Sequence, residues 1–118
     1  MERTALIVDD HPSFRASARR MLEADGYEVV GEAETGAAAL VAAERLRPHL
    51  VLLDVRLPDI DGLEVARRML DANEHIPQIV LTSSHDSADL GEGIAACGAR
   101  GFIPKGELTG TALASVLR

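Results

Sequence analysis

The sequence predicts one doubly wound α/β domain, with five parallel strands alternating with five helices. Three observations predict it. Aliphatic runs of strand length recur along the chain, each followed by a stretch with helical periodicity. Gly and Pro punctuate the boundaries between them. The helical connections are short, and short crossovers between buried strands require a parallel sheet with helices on both faces.

The elements follow in order. Thr4-Ala5-Leu6-Ile7-Val8 is a buried strand ending at Asp9-Asp10. Pro12 occupies a first helical turn, and Phe14, Ala18, Met21 and Leu22 share one face of that helix. Gly26 stops it, and Tyr27 to Ala33 form the second strand. Thr35 caps the second helix, whose apolar positions are Leu40, Val41, Ala43 and Leu46, with Pro48 just beyond. Leu50-Val51-Leu52-Leu53 is the third strand and ends at Asp54. A turn-rich stretch from Leu57 to Gly62 precedes a third helix over about Leu63 to Leu70. Gln78 to Leu81 make the fourth strand, ending at Thr82-Ser83-Ser84. A fourth helix carries Leu90, Ile94 and Cys97 on one face and stops at Gly98. Gly101-Phe102-Ile103 is a short fifth strand ending at Pro104-Lys105, and a last helix starts near Leu108.

Composition narrows the function. The chain has 118 residues, a net charge of −7 and an apolar share of 47%, which suits one packed core rather than a disordered segment. The acidic balance argues against a nucleic-acid groove, which needs a basic patch. The single Cys, Cys97, rules out an intrachain disulfide and a multi-cysteine metal site. The four histidines, His11, His49, His75 and His85, lack zinc-motif spacing. No apolar run approaches the roughly 18 residues of a membrane span, and no signal peptide is visible, so the expected setting is the cytoplasm.

The polar residues are informative by position. Four of the five strands end in reactive groups, at Asp9-Asp10, Asp54, Thr82 and Lys105. In an open parallel sheet, ligands bind outside the carboxyl ends of the strands. Capping of the following turns would explain any one of these residues. It does not explain a set of three carboxylates, a hydroxyl and an ammonium. Clustered carboxylates repel and need a cation, and Mg²⁺ favours a few carboxylates together with water and phosphate oxygens. A carboxylate can also accept a phosphoryl group as a nucleophile, while an ammonium and a hydroxyl steady the transferring oxygens. Asp54, on the central strand, is best placed for that role.

The whole chain resembles the receiver domain of two-component response regulators. The residues that carry the resemblance are Val8-Asp9-Asp10-His11-Pro12-Ser13-Phe14-Arg15, Leu52 to Gly62, Leu81-Thr82-Ser83 and Gly101-Phe102-Ile103-Pro104-Lys105. The resemblance implies a flavodoxin-like receiver fold with strand order 2-1-3-4-5. It implies Asp54 as phosphoacceptor, Asp9 and Asp10 as the acidic pair holding Mg²⁺, and the Arg56 carbonyl as a further ligand. Thr82 would be the switch hydroxyl, Phe102 the aromatic switch residue and Lys105 the phosphoryl-contacting lysine. The start Asp-Asp-His-Pro and the Gly101 to Leu108 stretch are most similar to the NarL/LuxR-type subfamily. That similarity implies a sensor histidine kinase as phosphodonor, a homodimer on phosphorylation and a DNA-binding output domain beyond these residues. The switching surface would comprise the fourth helix, fifth strand and fifth helix, roughly residues 84 to 117. One departure is that Gly106, not proline, follows Lys105.

Other readings compete. An aspartyl-nucleophile phosphatase would need an acid/base carboxylate two residues after Asp54, where Arg56 stands. A phosphorylation-independent interaction module would tolerate loss of acidic or lysine positions, and this chain keeps them all. The domain is therefore expected not to be a turnover enzyme. Arg15, Arg19 and Arg20 on the first helix read either as partner-docking residues or as a solvated face. Asp59 and Asp61 read as turn formers, His11 as a residue at the start of the first helix, and Cys97 as a buried inert thiol.

Overall fold

The computed structural model describes residues 3–72, 75–84 and 96–118. Five strands form one sheet: β1 (Thr4–Val8), β2 (Glu28–Ala33), β3 (Leu50–Asp54), β4 (Gln78–Ser83) and β5 (Gly101–Pro104). Their spatial order is β2-β1-β3-β4-β5, with every neighbouring pair parallel. The described helices are α1 (Pro12–Ala24), α2 (Gly36–Leu46), α3 (Gly62–Ala72) and a C-terminal helix (Gly110–Leu117). Strand order and parallel pairing are those expected. Leu90 and Ile94, which defined the expected fourth helix, lie outside the described residues. Cys97 is buried in the core, as its place in the pattern required.

The central strands are apolar without alternation because both of their faces are covered. Side chains on a strand still alternate between faces, and the two cores divide accordingly. Leu6, Val8, Val51, Leu53, Ile79 and Leu81 pack with Ala39, Ala43, Val65 and Met69, residues of α2 and α3. Ala5, Ile7, Leu50, Leu52, Val80 and Ile103 pack with Ala18, Leu22 and Leu113, residues of α1 and the C-terminal helix. A one-residue slip in any central strand would exchange its two faces between these cores.

Element ends differ in places from the sequence reading. Tyr27 precedes β2 rather than opening it. Its ring is buried beneath the Arg3 guanidinium, 4.4 Å from the ring centroid. The last helix begins two residues late, because Lys105–Glu107 first make a 3₁₀ turn. Thr109 then caps it, its hydroxyl accepting the Ala112 N–H at 3.0 Å. Thr35 caps α2 as expected, accepting from Ala38 at 3.1 Å. Gly26 stops α1 with φ +91°, a left-handed conformation that side chains rarely adopt. Gly62 opens α3 because the backbone folds back against β3. A Cβ there would meet the Asp54 carbonyl and stand 2.6 Å from the Val55 Cα.

Candidate functional site

The ends of β1, β3, β4 and β5 meet at one edge of the sheet. The register places Asp54 opposite Thr82, one step past Leu53 opposite Leu81. Asp9 follows β1 directly, its N–H donating to the Ala33 carbonyl at 3.0 Å. Lys105 follows β5 and reaches back over this edge. Its ammonium lies 2.7 Å from Asp9 Oδ2 and 3.3 Å from Asp54 Oδ2. The same nitrogen stands 4.6 Å from the centroid of the Phe14 ring, so an aromatic face covers part of the cation.

Both central carboxylates are buried. Asp54 uses Oδ1 to accept the Arg56 N–H at 3.1 Å and offers Oδ2 to Lys105. Burial pushes its carboxyl above the ordinary range. The Asp9 charge adds to that, while the Arg56 N–H and Lys105 hold it back. For Lys105, burial works against the charged form, yet the two carboxylates outweigh it and raise its value above that of an ordinary lysine. Thr82 Oγ1 is buried and has no hydrogen-bond partner among the described residues. Asp9 Oδ2 takes Lys105 as an ion contact rather than a well-angled hydrogen bond.

Asp9, Asp10, His11 and Asp54 each offer a ligand atom, and these atoms lie within 4.8 Å of one another. Three carboxylate oxygens so placed suit a hard divalent cation, and the buried, orphaned Thr82 hydroxyl beside them suits an oxyanion's acceptor atoms. The imidazole is the unanticipated member. His11 Nδ1 lies 3.1 Å from Asp9 Oδ1 and 3.0 Å from Asp10 Oδ1, and its backbone N–H donates to Asp9 Oδ1 at 2.8 Å. Its position directly after the Asp-Asp pair was the available signal.

The structure brings Asp9, Asp10, Asp54 and Lys105 together. Arg56 joins through its backbone, and its side chain is exposed. Phe102 pairs in register with Leu81, whereas Thr82 pairs with Ile103. The Phe102 ring packs on the α2 and α3 core. Asp59 has a role beyond its own turn. Its two oxygens accept the Gly36 and Ala37 N–H groups at 2.7 and 3.0 Å, capping α2 from the loop that follows Asp54. Arg15 is not a solvated residue. It bonds the Asp9 carbonyl at 2.7 Å and the Glu32 and Glu34 carboxylates at 2.9 and 3.2 Å.

Known proteins share this fold. Residues 5–116 match the family described as the response regulator receiver domain. The chain is 38% identical over 102 residues to the response regulator GacA of Pseudomonas protegens, covering 86% of this chain and 47% of GacA. It thus spans about half the length of that relative. Among solved structures, the signal receiver domain of the putative response regulator NarL from Mycobacterium tuberculosis is 33% identical, with a TM-score of 0.85 and coverage of 98% of this chain and 97% of that one. A LuxR-family response regulator from Aurantimonas is 27% identical, with a TM-score of 0.86 and coverage of 98% and 81%. No helix among the described residues is long and apolar enough to cross a membrane. With four strand ends delivering carboxylates, a hydroxyl and a lysine to one edge, and a family match running almost from end to end, the chain belongs to the response regulator receiver domains.

Proposed function

We propose that this domain receives a phosphoryl group on Asp54 and converts it into a change of surface that controls transcription. The observation that carries this reading is the Asp54 carboxylate itself. It is buried at the end of the central strand, faced by a lysine and two further carboxylates. A carboxylate oxygen of Asp54 attacks phosphorus, and the bond from phosphorus to the donor breaks. The donor departs with the electron pair, as a histidine imidazole of a sensor kinase or as the acetate of acetyl phosphate.

Asp9, Asp10, Asp54 and the Arg56 carbonyl would hold Mg²⁺, which supplies charge neutralisation for the transferring oxygens when bound. Lys105 leaves its carboxylate partners to contact a phosphoryl oxygen, and Thr82 donates its unused hydrogen bond to another. Movement of Thr82 then makes room for Phe102 to reorient, and the surface spanning roughly residues 84 to 117 responds. Part of that surface lies outside the described residues. A state shifts only by the differential contacts its ligand makes, and Thr82 and Lys105 supply them here. In this reading residues 1–118 form the receiver part of a longer cytoplasmic regulator. Its DNA-binding output domain lies beyond these residues, and phosphorylation favours a homodimer. The site promotes its own phosphorylation and hydrolysis and is not a turnover enzyme.

Incubation with Mg²⁺ and acetyl phosphate, followed by intact-mass spectrometry, tests the acceptor. One added phosphoryl group is expected, absent in Asp54→Asn. Equal modification of that variant would overturn the assignment.

A further inference from the structure

We propose that Arg15 is a positioning residue for the acidic pair, its guanidinium fixing the peptide between Asp9 and Asp10 so that the Asp10 carboxylate stays in the ligand cluster. The proposal rests on the reading that Asp9, Asp10 and Asp54 hold Mg²⁺.

All three nitrogens of Arg15 are engaged. Nη1 donates to the Asp9 carbonyl at 2.7 Å, Nε to Glu32 Oε1 at 2.9 Å and Nη2 to Glu34 Oε1 at 3.2 Å. The side chain is only 12% exposed, in the first turn of α1. The Asp9 N–H is anchored separately, to the Ala33 carbonyl at the end of β2. A peptide group is planar. Pinning the Asp9 carbonyl therefore also fixes the Asp10 nitrogen and Cα. Asp10 needs that help, because its side chain is 36% exposed and its described ionic contact is to the exposed His11 imidazole.

The two glutamates explain why this cation does not take the metal's place. They occupy the sides of the fork that face away from the carbonyl, so the guanidinium meets the acidic pair through a backbone oxygen rather than a carboxylate. Glu32 is itself held by Arg19 at 2.8 Å. The result is a brace running from α1 to β2 and the loop after it, closed on the β1 end. A lysine cannot reproduce it, since one ammonium cannot serve three acceptors in the geometry of a planar fork.

The experiment is a calorimetric Mg²⁺ titration of wild type, Arg15→Lys, Arg15→Gln, Glu34→Gln and Asp10→Ala, with amide NMR spectra of the metal-free proteins. Loss of an outer partner of a metal ligand typically weakens affinity by roughly 10- to 100-fold. Both Arg15 variants are expected to fall in that range while keeping dispersed, folded spectra. The Asp10 and His11 amides should move more than those of β4. Glu34→Gln, at an exposed position, should shift the same amides in the same direction, and it keeps the test open if an Arg15 variant fails to fold. Wild-type affinity in Arg15→Gln beside a clear loss in Asp10→Ala would overturn the proposal. So would full rescue by Arg15→Lys, which would make the effect one of charge alone. Absence of Mg²⁺ binding by wild type would instead overturn the metal reading. In that case unmoved Asp10 and His11 amides in the metal-free variants would still count against Arg15.

Discussion

Replacing Lys105 by methionine removes the ammonium shared by Asp9 and Asp54 while keeping a chain long enough to lie on Phe14. The two contacts, at 2.7 and 3.3 Å, join a lysine 14% exposed to carboxylates 0% and 4% exposed. At an effective dielectric near 20, each is worth about 5–6 kcal/mol of Coulomb energy. Desolvation of the ammonium cancels much of that, and breaking one partner of a buried pair costs about 3–5 kcal/mol in practice. The low end of that range, about 3 kcal/mol, is expected in metal-free buffer at pH 7, since the cluster opens to solvent at Asp10. At about 4 °C per kcal/mol for a domain of this size, the melting midpoint falls by about 12 °C.

The pH dependence carries a sign. Asp54 already has a raised carboxyl, through burial and then the Asp9 charge. The stability such a group contributes is complete below its ordinary value of 3.8 and is lost as pH rises through the folded-state value. Without Lys105 that loss deepens, so the deficit of the variant is full at neutral pH and shrinks on acidification. The contribution of Lys105 itself is complete below 10.5 and disappears only as pH rises through its raised folded value, so its own titration does not interfere. Circular dichroism melts in chelator at pH 7 and pH 4 test this. An unchanged midpoint at pH 7, or a deficit that grows in acid, would refute the reasoning.

Two further predictions rest on single residues. Thr82→Val removes a buried hydroxyl that lacks a hydrogen-bond partner among the described residues. It should stabilise the unphosphorylated domain by about 1 kcal/mol in urea denaturation while abolishing the spectral response of β5 to beryllofluoride. Asp59→Ala removes the cap on Gly36 and Ala37 and should lower the urea midpoint at neutral pH. These backbone N–H groups hold the Asp59 carboxyl below its ordinary range. Its contribution is therefore present above 3.8 and lost as pH falls through the lower folded value, so wild type and variant converge in acid.

The sheet and most of the site were legible in the sequence because their signals are local. Leu50 to Leu53 can only be a strand buried on both sides, and the residue that ends it must lie at the sheet's edge. What the sequence did not reveal acts across distance. Asp59 caps a helix that starts 23 positions earlier in the chain. The partners of Arg15 come from β2 and the loop after it, so periodicity within α1 shows only a charge on one face. The late start of the C-terminal helix is a local effect instead, since the Thr109 hydroxyl caps it three residues before Ala112. Lys105 opens the 3₁₀ turn that precedes this helix, and Gly106 within that turn is a poor helix former.

The division of the central strands between two cores has a consequence for how such a protein diversifies. Along β1, β3 and β4 only the first residues of two strands, Thr4 and Gln78, keep partial exposure, and the reactive groups gather at the opposite ends. Arg15 of α1 reaches the Asp9 carbonyl, but the exposed positions of α1, α2 and α3 lie outside both cores. Substitutions there can retune which proteins the domain meets while the chemistry stays constant. A gene duplicate could acquire a new signalling partner by surface change alone, with its phosphorylation site inherited intact.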